Sequence, residues 1–82
     1  MKVFVIIKTK WYGDDEIKEI VNICKDKESL NLNFRKQKDE VRKEIFDYYG
    51  SYKVNVDCEY EFMLTNKYGD EYSLSVEEHE LI

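Results

Sequence analysis

The sequence has 82 residues, with 13 Lys and Arg against 18 Asp and Glu and a formal charge of −5. That length leaves room for one domain, residues 1–82. The 15% aromatic content sets the chain apart from disordered sequences, although 38% of its residues are charged. The longest apolar run, Val3 to Ile7, is far short of the about 20 residues that cross a bilayer. It is also shorter than a signal-peptide core of roughly 7–15 residues. No membrane partner is expected, and the expected location is the cytoplasm.

Lys2 to Lys10 is β-branched and aromatic and reads as a strand, central in its sheet or covered on both faces. Trp11-Tyr12-Gly13-Asp14-Asp15 reads as a turn. Ile17 to Lys25 fits two patterns. Ile17, Ile20, Val21 and Cys24 match a helical stripe, yet Ile-Val-Asn-Ile-Cys is equally strand-like. A tight turn after the first strand makes a hairpin the simplest partner for it, so strand is preferred.

Ser29 to Tyr49 reads as an amphipathic helix. Leu30, Phe34, Val41, Ile45 and Tyr48 or Tyr49 fall on one face. Ser29 or Asp26 caps its start, and Gly50 stands where a left-handed residue ends a helix. Arg35–Asp39, Lys36–Glu40 and Asp39–Lys43 are spaced to pair along its outer face.

From Tyr52 the period becomes two. Tyr52, Val54, Val56, Cys58, Tyr60, Phe62 and Leu64 alternate with polar residues and read as one long strand, bent near Asp57. Asn66 to Asp70 is a turn, after which Tyr72, Leu74 and Val76 resume the alternation. Matching apolar faces sets Leu64 opposite Tyr72, Phe62 opposite Leu74 and Tyr60 opposite Val76. The expected fold is α+β: a single antiparallel sheet of about four strands, in the order β-β-α-β-β, with one amphipathic helix packed on one face. No proline guards the sheet edges, so a homodimer through an edge strand is open to the chain.

Charge is unevenly spread. Residues 1–56 carry 12 basic and 10 acidic side chains, whereas residues 57–82 carry one, Lys67, against eight. The expected register sets Glu59 opposite Glu77 on the outward side of the last hairpin, beside Glu61. Such like-charge pairing costs stability unless a neighbour such as Lys53 relieves it. An acidic face of this kind can simply keep a protein soluble, or it can match a basic partner surface. The candidate partner-binding residues are Asp57, Glu59, Glu61, Tyr68, Asp70, Glu71, Glu77 and Trp11, with Trp11 and Tyr68 as aromatic anchors in turns.

Catalytic and cofactor patterns are missing. Gly13, Gly50 and Gly69 are isolated, so no loop is built to cradle phosphates, and one histidine cannot form a two-His metal site. Cys58 with His79 is the only Cys–His combination worth considering for nucleophilic catalysis. Cys24 and Cys58 otherwise read as reduced core cysteines. Arg35, Lys38 and Arg42 share a helical stripe that could follow a phosphate backbone, but acidic residues interleave with them and the pI is about 4.9. No enzyme activity, cofactor or direct nucleic-acid binding is expected.

The opening Met-Lys-Val-Phe-Val-Ile-Ile, the Lys- and Glu-rich helix and the ending Glu-Tyr-Ser-Leu-Ser-Val-Glu-Glu-His-Glu-Leu-Ile together resemble small β-hairpin–helix–β-hairpin proteins of low-GC Gram-positive bacteria and their phages. The resemblance implies a strand at 17–25 and a phage or mobile-element origin. In size and charge the chain is also similar to phage inhibitors of host defence enzymes, anti-CRISPR proteins among them. The expected function is therefore a non-enzymatic protein-binding module, a stoichiometric inhibitor of a host nucleic-acid or defence enzyme. A small homodimeric regulatory or structural domain, or a small-ligand or nucleotide-binding protein, is the alternative.

Overall fold

The computed structural model describes residues 2–80; Met1, Leu81 and Ile82, which form the ends of the resemblance above, lie outside the described residues. The elements in chain order are β1 (Lys2–Tyr12), β2 (Asp15–Cys24), α1 (Lys27–Tyr49), β3 (Tyr52–Cys58), β4 (Glu61–Asn66) and β5 (Glu71–Glu80). All five strands join one antiparallel sheet in the order β2-β1-β5-β4-β3. Both hairpins flank the last strand, which inserts between β4 and β1.

The expectation of about four strands in the order β-β-α-β-β is overturned: the sheet has five, in the order β-β-α-β-β-β. The stretch from Tyr52 to Leu64 is not one strand but the hairpin β3–β4, closed by the two-residue turn Glu59–Tyr60. The alternation runs through the break for a geometric reason. Beside the turn, Asp57 pairs with Phe62 and Val56 with Met63, so odd positions of β3 share a face with even positions of β4. A bulge at Asn55 then resets the phase, and Val54 pairs with Leu64. Tyr52, Val54, Phe62 and Leu64 thus face the helix, whereas Val56 and Cys58 face away. Cys58 is accordingly exposed, not a core cysteine; Cys24 is buried as expected.

The first hairpin also differs in detail. Trp11, Tyr12 and Asp15 belong to the strands, and only Gly13–Asp14 forms the turn. Residues 15–24 are a strand, so their helical spacing is overridden by pairing with β1. A bulge between Ile20 and Asn22, at Val21, accounts for the mixed pattern.

The helix begins two residues before the expected Ser29. Asp26 is the N-cap, its side chain accepting from the Ser29 N–H at 2.7 Å. Gly50 ends it at φ 79°, in the left-handed region. Leu30, Phe34, Val41 and Ile45 pack on Ile6, Cys24, Phe62, Leu64, Tyr72 and Leu74. Each large apolar side chain so buried contributes about 1.5–3 kcal/mol. The expected i, i+4 ion pairs along the helix are replaced by links to the sheet. Lys38 and Arg42 reach Asp57, and Lys8 and Lys10 reach Glu44.

Candidate functional site

The helix covers one face of the sheet only. On β1 the even residues Phe4, Ile6 and Tyr12 meet the helix side, and the odd residues Val3, Val5, Ile7, Thr9 and Trp11 stand on the other. No element of the described chain covers that second face. Its side chains form rows across the strands. One row runs Cys58, Glu61, Ser75, Ile7, Ile20, and the next brings Glu77, Val5 and Ile23 together. Towards the other end, Lys53, Thr65, Glu71, Trp11 and Glu16 form a third row, and Lys18 stands on the same face opposite Thr9.

Ile20 and Ile23 are 63% and 66% exposed. With Val3, Val5 and Ile7 they line a shallow groove of about 520 Å³, bounded by Glu77 and His79. Val3 and Val5 themselves are little exposed, so Ile20 and Ile23 supply the exposed apolar surface. The near-continuous apolar run of β1 pointed to a strand central in its sheet or covered on both faces, and β1 is the former, between β2 and β5. What it left open was that one of those faces is a surface. Ile20 and Ile23 carried no sequence signal for exposure, because a strand and a helix both bury that pattern.

Four of the expected contact residues, Trp11, Glu61, Glu71 and Glu77, stand on this open face. Glu61 and Glu77 are diagonal neighbours, about 7–8 Å apart in such a ladder. The other four separate from them. Glu59 lies in the β3–β4 turn, not opposite Glu77, whose partners are Val5 and, through its carboxylate, His79 at 3.1 Å. Lys53 stands opposite Thr65, remote from that end. Desolvation, then the nearby Glu59 charge, raises the Tyr60 phenol above its ordinary value, and its hydroxyl donates to Asn31 Oδ1 at 2.9 Å.

Asp57 turns to the helix side, where Lys38 donates to it at 2.7 Å and Arg42 at 3.2 Å. The Lys38 hydrogen bond, then the charges of Lys38 and Arg42, hold its carboxyl below the usual range against partial desolvation. It is a structural tie, not a free contact group. Asp70 is bound within the β4–β5 turn, accepting from Asn66 Nδ2 at 3.1 Å. Tyr68, in the same turn, packs edge-on against Tyr49 with ring centroids 5.7 Å apart.

Trp11 is half-buried in β1, paired with Glu16 and Glu71, rather than at a loop tip. Cys58 and His79 do not meet: β4 separates their strands, and His79 pairs four residues beyond Ser75, the residue in register with Cys58 through Glu61.

A second feature lies on the helix side, where the last helical turn meets β1 and β5. Tyr12, Tyr48, Tyr49 and Tyr72 line a cleft of about 550 Å³ with Glu44 and Asp47. Tyr12 and Tyr72 stack edge to face at 5.9 Å, Tyr48 and Tyr49 at 4.8 Å, and the Tyr49 and Tyr72 hydroxyls approach to 3.4 Å. Desolvation, then the Tyr49 hydroxyl and the neighbouring Tyr12 phenol, pushes the Tyr72 phenol well above its ordinary value, so it stays protonated. Partial burial raises Glu44, but the Lys8 hydrogen bond and the Lys8 and Lys10 charges outweigh it and leave the carboxyl below its usual value.

Among the described residues no group of three or more His, Cys, Asp or Glu side chains could hold a metal ion, and no helix is long and apolar enough to cross a membrane. No protein-family model, curated protein or solved structure matches the chain.

Proposed function

We propose that the chain is a non-enzymatic protein-binding module whose helix-free sheet face covers a partner surface that is basic and partly apolar. The observation that carries this reading is the shared face of Val5, Ile7, Ile20 and Ile23 with Glu61, Glu77, Glu71 and Trp11. An apolar patch flanked by carboxylates supplies burial for affinity and complementarity for partner choice, with Lys18 and Lys53 as the cations on the same face. The surplus of carboxylates over the last 26 residues selects a basic partner. A host nucleic-acid or defence enzyme is the target class that the resemblance implies, with stoichiometric inhibition as the mode.

The test is a tagged capture from nuclease-treated host lysate, repeated with Glu61→Lys plus Glu77→Lys and with Ile20→Asp plus Ile23→Asp. Support requires one basic nucleic-acid enzyme that is inhibited at a one-to-one ratio. Both double variants must release it while keeping their circular dichroism and melting temperature. Equal capture by the folded variants overturns the assignment of the face.

A second reading is favoured by one observation. Ile17, Ile20 and Ile23, all more than half exposed, lie on the edge strand β2, whose outer backbone is unpaired. A homodimer through that edge would pair its free backbone groups and set a partner strand beside Ile17 on the helix side and beside Ile20 and Ile23 on the open side. Sedimentation equilibrium distinguishes the two, because only this reading requires self-association of the isolated chain.

A further inference from the structure

We propose that the tyrosine cleft at the end of α1 binds a guanidinium group, the head of an arginine side chain. Three independent features of the cleft favour a cation. Its walls are the rings of Tyr12, Tyr48, Tyr49 and Tyr72, and aromatic faces attract positive charge. Its polar lining is carboxylate, from Glu44 and Asp47. It sits at the carbonyl end of a 23-residue helix whose last turn holds no basic residue, so the negative end of the helix dipole has no local counter-charge from that turn.

The two carboxylates are not equivalent. Lys8 and Lys10 approach Glu44 at 3.0 and 3.8 Å from the sheet side. Asp47 forms no ion pair among the described residues and is exposed to the cleft mouth. Asp47 and the helix terminus therefore leave negative charge beside Tyr48, a residue that is 81% exposed. Guanidinium fits this pair better than an alkyl ammonium. It is planar and stacks on a phenol ring, and its fork of N–H donors matches a carboxylate. An anion would face the carboxylates, and a neutral aromatic ring would leave Asp47 unanswered. The cleft opens on the helix side of the sheet, so this site stands apart from the face invoked above.

The experiment titrates the folded chain with N-acetylarginine amide, free arginine, N-acetyllysine amide and tetramethylammonium, following the tyrosine ring resonances by NMR. The expected result is saturable shifts of the Tyr12, Tyr48 and Tyr49 rings with a dissociation constant of about 1 mM. The lysine and tetramethylammonium probes should bind about tenfold more weakly. Asp47→Asn and Tyr48→Ala should each weaken the arginine probe about tenfold. Both positions are exposed, so the variants should keep their melting temperature. Equal binding of free arginine would identify a small guanidino compound as a ligand. Binding of the blocked form alone would identify a polypeptide arginine. Absent saturation, equal binding of the lysine probe, or unchanged binding in both folded variants would overturn the proposal.

Discussion

Lys38 and Asp57 meet at 2.7 Å across the helix–sheet boundary, tying the middle of α1 to edge strand β3. Arg42 adds a second contact at 3.2 Å, and both cations lie over the Phe62 ring. These partners hold the Asp57 carboxyl below its ordinary value of 3.8. A depressed folded-state value stabilises the fold above pH 3.8, and that contribution disappears as pH falls through the lowered value. Wild type should therefore lose stability on acidification below about pH 4, whereas Asp57→Asn should be less stable at neutral pH and less sensitive to acid. Melting curves from pH 7 to pH 2 in both proteins check this. An equal acid response would remove Asp57 from the account.

The two thiols should behave differently. Cys24 is 1% exposed and Cys58 lies on the open edge of the sheet. A thiol reagent should label Cys58 rapidly in the native state and Cys24 only after unfolding. Mass spectrometry of a brief labelling pulse distinguishes this from a pair of equally protected core cysteines.

Asn66 is 6% exposed and organises the turn before β5. Its Oδ1 accepts from the Tyr68 and Asp70 N–H groups at 2.9 and 3.0 Å, and its Nδ2 donates to Asp70. Removing the side chain strands those donors, so Asn66→Ala should cost about 1–3 kcal/mol in urea unfolding. Asn66→Asp keeps the acceptor but sets a second carboxylate beside Asp70, and should lose more stability at pH 7 than at pH 3.

The helix ends give a calibrated pair. Asp26→Ala removes the cap on the Ser29 N–H and should cost about 1 kcal/mol. Gly50→Ala forces a side chain into φ 79° and should cost about 1–2 kcal/mol, although no atom lies within 4 Å of the added methyl. A loss in the second variant as small as that of an ordinary exposed substitution would contradict the strained geometry.

Much of the fold is legible without coordinates. The helix, its Gly50 cap, its buried face and the pairings Leu64–Tyr72 and Phe62–Leu74 follow from periodicity and residue type, while the structure decided for Asp26 over Ser29 as the N-cap. These features depend on local sterics and on burying one apolar face, which neighbouring residues already specify. The extra strand was hidden because an even-length turn and a one-residue bulge left the alternation of Tyr52 to Leu64 intact on paper. Period two reports extended backbone; it carries no mark of where the chain reverses.

The candidate surfaces divide in the same way. Composition alone determined that the C-terminal third is acidic, because charge is additive and independent of folding. Only the tertiary structure decided which carboxylates act together. Insertion of β5 between β4 and β1 put Glu61, Glu71 and Glu77 on one face with Ile7 and Ile20, while the phase shift near Asn55 turned Asp57 inward to Lys38. The same packing drew Tyr12, Tyr49 and Tyr72, far apart in sequence, around one cleft. Such groupings arise from long-range pairing and from the placement of a single helix on one side of the sheet, and no local pattern encodes either.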